Sequence, residues 1–375
     1  MTLTTVVVAA STNSPDFAVI DFSSATPTSV MVGASSGGNV VDCYGTLAAV
    51  GDCSGGTVTI FDISNPASPT QRSSVNTGLS GIGAISMDGT NILAGQNNGS
   101  QLALIDISNP ASPVVKSVYS QGGWLGTIST VAIRGTNAVV GGTDGFGVFD
   151  YSNPAMPQAV AYDGSATKVY FSGQVLADFD GVNAAVLSGA PPPGSFAVPP
   201  TYLYGISGGA ASPLPSVSNS NLPTSVAIAE IPAGGYFVAV GGENLFWINS
   251  FPLNPQPSTT YQSNSLAPNT GDTVVAVKFL NNPAVAPFLA VANVTNDAFF
   301  VTAYFIQSEE AVAPDGALTN IVSVSTPNPV AQVALKATLR PTLGITAFTI
   351  KPILPPPHFW PLPGWLSKLL QRLFG

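Results

Sequence analysis

The sequence predicts an all-β protein, and three observations support this fold class. Gly and Pro account for 38 and 33 of the 375 residues, which disfavours long helices and suits short strands joined by tight turns. A hydrophobic fraction of 45% is sufficient for a buried core and excludes a disordered chain. Finally, short apolar stretches and turn residues alternate in a pattern that repeats along the chain.

The clearest repeat is a loop that follows an apolar stretch. It begins at Asp62, Asp106 and Asp150, at a spacing of 44 residues, and its first two copies read Asp-Ile-Ser-Asn-Pro-Ala-Ser-Pro. A degenerate copy begins at Asp21. Because Pro lacks a backbone donor, the Asn-Pro pair ends a strand. Each copy therefore marks the end of the third strand in one repeat unit, and an Asx-type bond from each Asp to the following backbone is expected.

Within a unit, short strands alternate with turns. In the unit before Asp106, the predicted strands are 82–87, 91–95 and 102–106. The turn after the first strand contains a glycine, which adopts a positive φ most easily. These turn glycines are Gly45, Gly89, Gly135 and Gly181. Four strands in about 40 to 45 residues are typical of a blade of a β-propeller.

The first strand of each unit is predicted to lie innermost. The predicted inner strands are 38–43, 81–87, 128–134, 173–179, 224–230, 273–279 and 343–350. They predict a single propeller of seven blades over residues 1–351. We expect Gly344–Ile350 to complete the blade that Thr5–Ala10 begins, which removes exposed sheet edges. The length of residues 280–342 is also compatible with an eighth blade.

Residues 47–62, which read Leu-Ala-Ala-Val-Gly-Asp-Cys-Ser-Gly-Gly-Thr-Val-Thr-Ile-Phe-Asp, and their copies resemble the LVIVD-repeat propellers and, more distantly, WD40 blades. The resemblance covers about residues 5–350 and is strongest in the first four units. It implies a WD40-like propeller fold that occurs on many microbial surface proteins. It implies no particular chemistry, since one fold supports many functions.

The sequence contains no recognisable catalytic set, and no metal or cofactor is expected. The single His leaves little for a proton relay. Residues 205–209 match Gly-x-Ser-x-Gly, but they lie at the end of a third strand and not at a strand-to-helix elbow. Residues 178–181 predict a β-turn, because the carboxylates that a calcium loop requires are missing. Cys43 and Cys53 are not expected to pair. These observations predict a protein that is not an enzyme.

Charge is sparse and unevenly distributed. Charged residues make up 8% of the chain, where a soluble domain carries about 25%. The net charge of -9 disfavours binding of nucleic acid. All 19 acidic residues lie at or before Asp315, and five of the ten basic residues follow it. This asymmetry indicates an interaction segment at the C-terminal end.

The C-terminal end is predicted to consist of a Pro-rich strap, 352–364, and a short amphipathic helix, 365–375. A helix of this length is marginal alone and must dock on something. Its own propeller, a protein partner and, less favoured, a membrane surface are the alternatives. The residues predicted to dock are Trp360, Trp365, Leu366, Lys368, Leu369, Leu370, Arg372, Leu373 and Phe374. A Pro-rich loop in the fifth unit, with Pro191, Pro192, Pro193 and Phe196, is a candidate contact loop.

These features together predict a non-enzymatic structural or binding protein. The first interpretation is a virion component, such as a spike or capsid-associated propeller. It would be attached to other proteins by its C-terminal segment and would present its disc to a host receptor or glycan. The alternative is a microbial cell-surface propeller of LVIVD type, and an enzyme with a site in the central funnel is a third hypothesis. A virion or extracellular location is expected, without a signal peptide or a transmembrane helix.

Overall fold

The computed structural model describes residues 2–11, 16–21, 28–33, 38–120, 125–160, 169–170, 175–188, 201–207, 210–217, 223–230, 235–242, 245–252, 273–279, 288–295, 298–306, 318–326 and 330–340. The regular structure of these residues consists of β-strands, with no helix among them. The predicted all-β class is therefore confirmed. The predicted C-terminal helix lies outside the described residues.

The chain divides into two compact units. One is Leu3–Arg340, and the other combines Met1–Thr2 with Pro341–Gly375. Apart from Thr2, the described residues belong to the first unit. The predicted domain boundaries after residues 351 and 364 fall outside the described residues and stay predictions.

The described strands form seven sheets, which we number along the chain. Sheet I contains β1 (Thr2–Ser11), β2 (Asp16–Asp21) and β3 (Thr28–Gly33). Sheet II contains β4 (Gly38–Tyr44), β5 (Leu47–Asp52), β6 (Thr57–Asp62) and β7 (Thr70–Asn76). Sheet III contains β8 (Ile82–Asp88), β9 (Asn91–Gln96), β10 (Gln101–Asp106) and β11 (Val114–Ser120). Sheet IV contains β12 (Ile128–Arg134), β13 (Asn137–Gly142), β14 (Gly145–Asp150), β15 (Gln158–Val160) and β16 (Val169–Tyr170).

The remaining sheets follow the same order. Sheet V contains β17 (Val175–Phe179), β18 (Asn183–Ser188), β19 (Thr201–Ser207) and β20 (Ala210–Val217). Sheet VI contains β21 (Pro223–Glu230), β22 (Gly235–Gly242) and β23 (Leu245–Pro252). Sheet VII contains β24 (Thr273–Phe279), β25 (Phe288–Thr295), β26 (Ala298–Ile306) and β27 (Leu318–Thr326). The last described strand, β28 (Val330–Arg340), pairs with β1 and completes sheet I.

Tight turns join the first and second strands of sheets II to V, as the repeat predicts. The turn glycines Gly45, Gly89 and Gly135 have φ between 57° and 59°, and Gly181 has φ 114°. A residue without Cβ adopts these values at little cost. The turns therefore fix the antiparallel pairing of the two strands, with Asp88 opposite Asn91 in sheet III.

The first strands of sheets II to VII contact one another in order, and β28 contacts both β24 and β4. Six of the predicted inner strands are confirmed by this arrangement. The predicted closing strand is wrong: Val330–Arg340, and not Gly344–Ile350, lies beside β1. With 11 residues, β28 is long enough to run beside β1, which has 10. Residues 344–350 lie outside the described residues.

The core lies between neighbouring sheets, because the middle strands are buried on both faces. In β5, Ala48 packs towards sheet I, and Ala49 packs towards sheet III. Between sheets I and II, the rings of Phe17 and Phe61 meet edge to face, with centroids 4.8 Å apart. Burial of both faces explains why these strands are apolar without alternation.

Tyr151 is an exception in the core between sheets III and IV. It is 4% exposed and belongs to the cluster of buried residues between these two sheets. At the equivalent position, the two earlier repeats have Ile63 and Ile107. Its hydroxyl has no hydrogen-bond partner among the described residues. Burial raises the pKa of Tyr151 far above its ordinary value, so the hydroxyl stays protonated.

We expect Tyr151→Phe to raise the free energy of unfolding by about 1 kcal/mol, because it removes a buried polar group without a partner. Urea denaturation of both proteins measures the change. Tyr151→Leu is the control, since it also removes ring volume and should be less stable than Tyr151→Phe. A Phe variant that is less stable than the parent would contradict the prediction.

Candidate functional site

Four first strands carry an aligned residue three positions before the turn glycine. These residues are Asp42, Ser86, Ala132 and Asp178. The registers between first and second strands place Ala227 in β21 and Lys278 in β24 at the equivalent position of their own sheets. We call these six residues the inner level. It contains two carboxylates and one ammonium group where the neighbouring core is apolar.

Side chains of the inner level link neighbouring sheets. At three positions, the side chain accepts a hydrogen bond from a backbone N–H of the next sheet. The bonds join Met87 N to Asp42 Oδ2 (2.8 Å), Ile133 N to Ser86 Oγ (3.2 Å) and Ile228 N to Asp178 Oδ2 (3.0 Å). Because the bond recurs in sheets II, III and V, part of the role of Asp178 is structural.

Lys278 distinguishes the environment of Asp178 from that of Asp42. Its Nζ lies 3.2 Å from Asp178 Oδ1, and the two side chains are 21% and 7% exposed, respectively. The contact joins sheets V and VII and passes sheet VI, where the aligned residue is Ala227. A methyl side chain at that position leaves room for the lysine to extend past. The result is a largely buried ion pair, which is costly to form unless further hydrogen bonds satisfy it.

Asp180 follows β17 and lies in the turn before β18. Its Oδ1 accepts the backbone N–H groups of Val182 (2.8 Å) and Asn183 (2.6 Å), and Asn183 Nδ2 lies 3.4 Å from Oδ2. Burial raises the pKa of Asp180, the charge of Asp178 adds to the rise, and these hydrogen bonds oppose it. The carboxyl is therefore a stronger base than an exposed Asp.

Tyr236, at the start of the second strand of sheet VI, lies within electrostatic reach of Asp180. Its side chain is partly buried. Burial, with the charge of Asp180, raises its pKa to about 12. The phenol is thus protonated across the physiological range. We call Asp178, Asp180, Tyr236 and Lys278 the Asp178 cluster.

The Asp178 cluster contains groups suited to acid–base chemistry. A buried carboxyl with a raised pKa can accept a proton and return it more readily than an exposed Asp. A neighbouring ammonium can stabilise negative charge that develops on an oxygen. Among the described residues, no group of three or more His, Cys, Asp or Glu side chains is placed to hold a metal ion.

The repeated Asp residues have a local structural role, as predicted. Asp62, Asp106 and Asp150 each accept the N–H of the Ser two residues later at 2.7 to 2.8 Å. Lys116 also lies 2.9 Å from Asp106. The hydrogen bond from Lys116, with those from Ser108, lowers the pKa of Asp106 to about 2. These carboxylates belong to separate sheets and form no common site.

The other predicted sites have different outcomes. Gly205 and Ser207 lie within β19, so the Gly-x-Ser-x-Gly match is not an elbow. No disulfide joins Cys43 and Cys53. The candidate contact loop and the predicted docking residues of the C-terminal segment lie outside the described residues and stay predictions. In the part of the chain that the structure describes, no helix is long and apolar enough to span a membrane.

Comparison with known proteins supports the class of protein that the sheets define. The LVIVD repeat family matches residues 40–77 and 94–121. The chain therefore contains LVIVD repeats, which are associated with β-propeller folds. The matches cover the strands around the first two Asn-Pro-Ala-Ser-Pro loops, and the predicted resemblance is confirmed. No curated protein matches the chain in sequence.

Solved structures with the same fold include proteins named as lactonases. A candidate 6-phosphogluconolactonase of Bacteroides uniformis has a TM-score of 0.62 at 12% identity, covering 89% of this chain and 100% of its own. A second, from Bacteroides fragilis, has a TM-score of 0.60 at 14% identity, covering 90% and 98%. The periplasmic gluconolactonase of Pseudomonas aeruginosa has a TM-score of 0.57 at 16% identity, covering 90% and 99%. At these identities, the similarity shows the fold.

The prediction of a virion structural protein is wrong. Three proteins that share the fold over about nine-tenths of the chain are named as lactonases. The prediction that the chain is not an enzyme is not confirmed either, since these names point weakly towards catalysis. The earlier interpretation relied on the lack of a contiguous motif. The Asp178 cluster escapes such a search because Asp178 and Lys278 are separated by 100 residues.

Proposed function

We propose that the chain is a seven-bladed β-propeller that binds and hydrolyses a small lactone at the Asp178 cluster. The seven sheets, whose inner strands contact one another in a closed order, support the blade count. The proposed activity rests on the largely buried Asp178–Lys278 pair at the inner level and on Asp180, whose pKa responds to the charge of Asp178. The fold is shared with proteins named as lactonases.

The charges of the cluster favour an uncharged lactone over a phosphorylated one. A phosphate is usually bound by several Arg or Lys side chains. The Asp178 cluster contains a single cationic side chain, Lys278, which is already paired with Asp178. A polyhydroxylated, uncharged ring would instead be bound by carboxylates and the Tyr236 phenol through hydrogen bonds.

The test is hydrolysis by the purified full chain, followed as acid release in a pH-stat. Gluconolactone, 6-phosphogluconolactone and an aliphatic lactone are compared, with spontaneous hydrolysis subtracted. We expect the fastest turnover with gluconolactone. The double variant Asp178→Leu/Lys278→Met should lose it, whereas Arg72→Gln, on the outer strand of sheet II, should not. Binding without turnover would indicate a binding protein, and no turnover of any lactone would refute the proposed activity.

A further inference from the structure

The two carboxylates of the Asp178 cluster differ in how their oxygen atoms are used. Asp178 Oδ1 receives Lys278 Nζ, and Asp178 Oδ2 receives the N–H of Ile228. Both oxygens therefore hold strong donors, one of them charged.

Asp180 is arranged differently. Its Oδ1 accepts both backbone N–H groups of the turn, whereas Oδ2 accepts a hydrogen bond from Asn183 Nδ2 at 3.4 Å. A bond of that length is weak. Among the four oxygens of the two carboxylates, Asp180 Oδ2 is therefore the one held least strongly by the described residues, and it can accept a hydrogen bond from a water molecule.

We propose that Asp180 Oδ2 is the atom that takes the proton of the attacking water, and that the Asp178–Lys278 pair presents the ammonium group to the lactone carbonyl. This assignment rests on the proposed function. It divides two nearby carboxylates into a base and a positioning group, according to the donors that each already holds.

Water loses a proton to Asp180 Oδ2 while its oxygen bonds to the lactone carbonyl carbon. The carbonyl oxygen becomes an oxyanion, which Lys278 Nζ stabilises through an N–H that Asp178 does not use. The intermediate then collapses, the ring C–O bond breaks, and the ring oxygen takes the proton back from Asp180. The product is the open hydroxy acid, and both carboxylates regain their starting state.

Several charged or titratable groups surround the base. Asp178 precedes it on β17, Tyr236 approaches from sheet VI, and Lys278 pairs with Asp178 from sheet VII. Arg134, at the end of β12, lies against the turn, with its Cβ 3.7 Å from the position of a Cβ on Gly181. Because burial and Asp178 raise the pKa of Asp180, activity should fall as the pH drops through that raised value. In Asp178→Asn, the acid limb of the pH profile should move to lower pH.

The kinetic test compares matched variants at the residue before the turn glycine. Asp180→Asn retains an amide oxygen for the turn, so it should fold but lose about 100-fold or more in kcat. Asp88 precedes Gly89 in the same way and accepts Gly135 N–H at 2.5 Å. Asp88→Asn should retain the parent kcat. If Asp180→Asn hydrolyses gluconolactone as fast as Asp88→Asn does, the assignment is overturned, although the proposed function stands.

A second measurement does not depend on turnover. Carboxyl carbon NMR of the full chain, titrated with acid, reports the proton affinity of each Asp directly. We expect Asp180 to titrate at higher pH than Asp106, and its midpoint to move downwards in Asp178→Asn. If Asp180 titrates at or below the ordinary range for Asp, the assignment is overturned whatever the lactone assays show. If Asp180 titrates as expected but no lactone is hydrolysed, only the proposed function fails.

Discussion

Replacing Lys278 with Met is expected to lower the free energy of unfolding by about 3 kcal/mol. The variant leaves Asp178 as a buried carboxylate without its ammonium partner, and breaking a buried pair from one side typically costs this much. Asp178 is 7% exposed at its side chain, so water cannot replace the lost partner easily. Chemical denaturation of the parent and variant measures the difference.

Two controls separate the effect of breaking a buried ion pair from the effect of removing a cationic side chain in general. Arg72 forms an ion pair with Asp62 on the outer strand of sheet II, but its side chain is 54% exposed. Arg72→Met should change stability by less than about 1 kcal/mol. Asp178→Leu/Lys278→Met should recover part of the loss, because no unpaired charge remains. If Lys278→Met is as stable as Arg72→Met, the pair does not hold sheets V and VII together.

Replacing Gly81 with Ala should be similarly destabilising, for a steric reason. A Cβ at this position would lie 2.1 Å from the carbonyl oxygen of Cys53, in the turn between β5 and β6. The obstructing atom belongs to the backbone, so sheets II and III would have to move apart. We expect a loss of about 3 kcal/mol in the free energy of unfolding, at the upper end for overpacking.

The control for Gly81→Ala is the turn glycine of sheet III. Gly89 has φ 57°, and a Cβ there would meet nothing within 4 Å. Gly89→Ala therefore carries only the cost of a left-handed backbone, about 1 to 2 kcal/mol. Thermal unfolding of both variants gives the comparison. Equal losses would show that close approach of the sheets at Gly81 contributes nothing.

The parts of the fold that could be predicted from the sequence are those that depend on local patterns. The turn glycines, the Asn-Pro loops and six inner strands follow from neighbours in the sequence, because a turn needs a particular φ and a strand ends where a donor is lost. The closing strand could not be placed in this way. The pairing of β28 with β1 is a contact between the two ends of a long chain, and local pattern does not specify long-range pairing.

The candidate site depended even more on tertiary structure. From the sequence, Asp178 and Asp180 are predicted to lie in a turn, although Asp178 lies within β17, and Lys278 is an isolated basic residue. Each has an ordinary local explanation. Comparing the aligned positions of the repeats could have singled out Lys278, because the other described inner-level residues are acidic, small or uncharged.

The sequence by itself determined the all-β class, the repeat unit and the turns, because these depend on interactions within one sheet. Only the tertiary structure decided that a lysine of sheet VII pairs with an aspartate of sheet V. It also decided that burial, with the charge of Asp178, raises the pKa of Asp180. Burial and charge pairing arise between sheets, where residues far apart in the chain come within a few ångströms of one another.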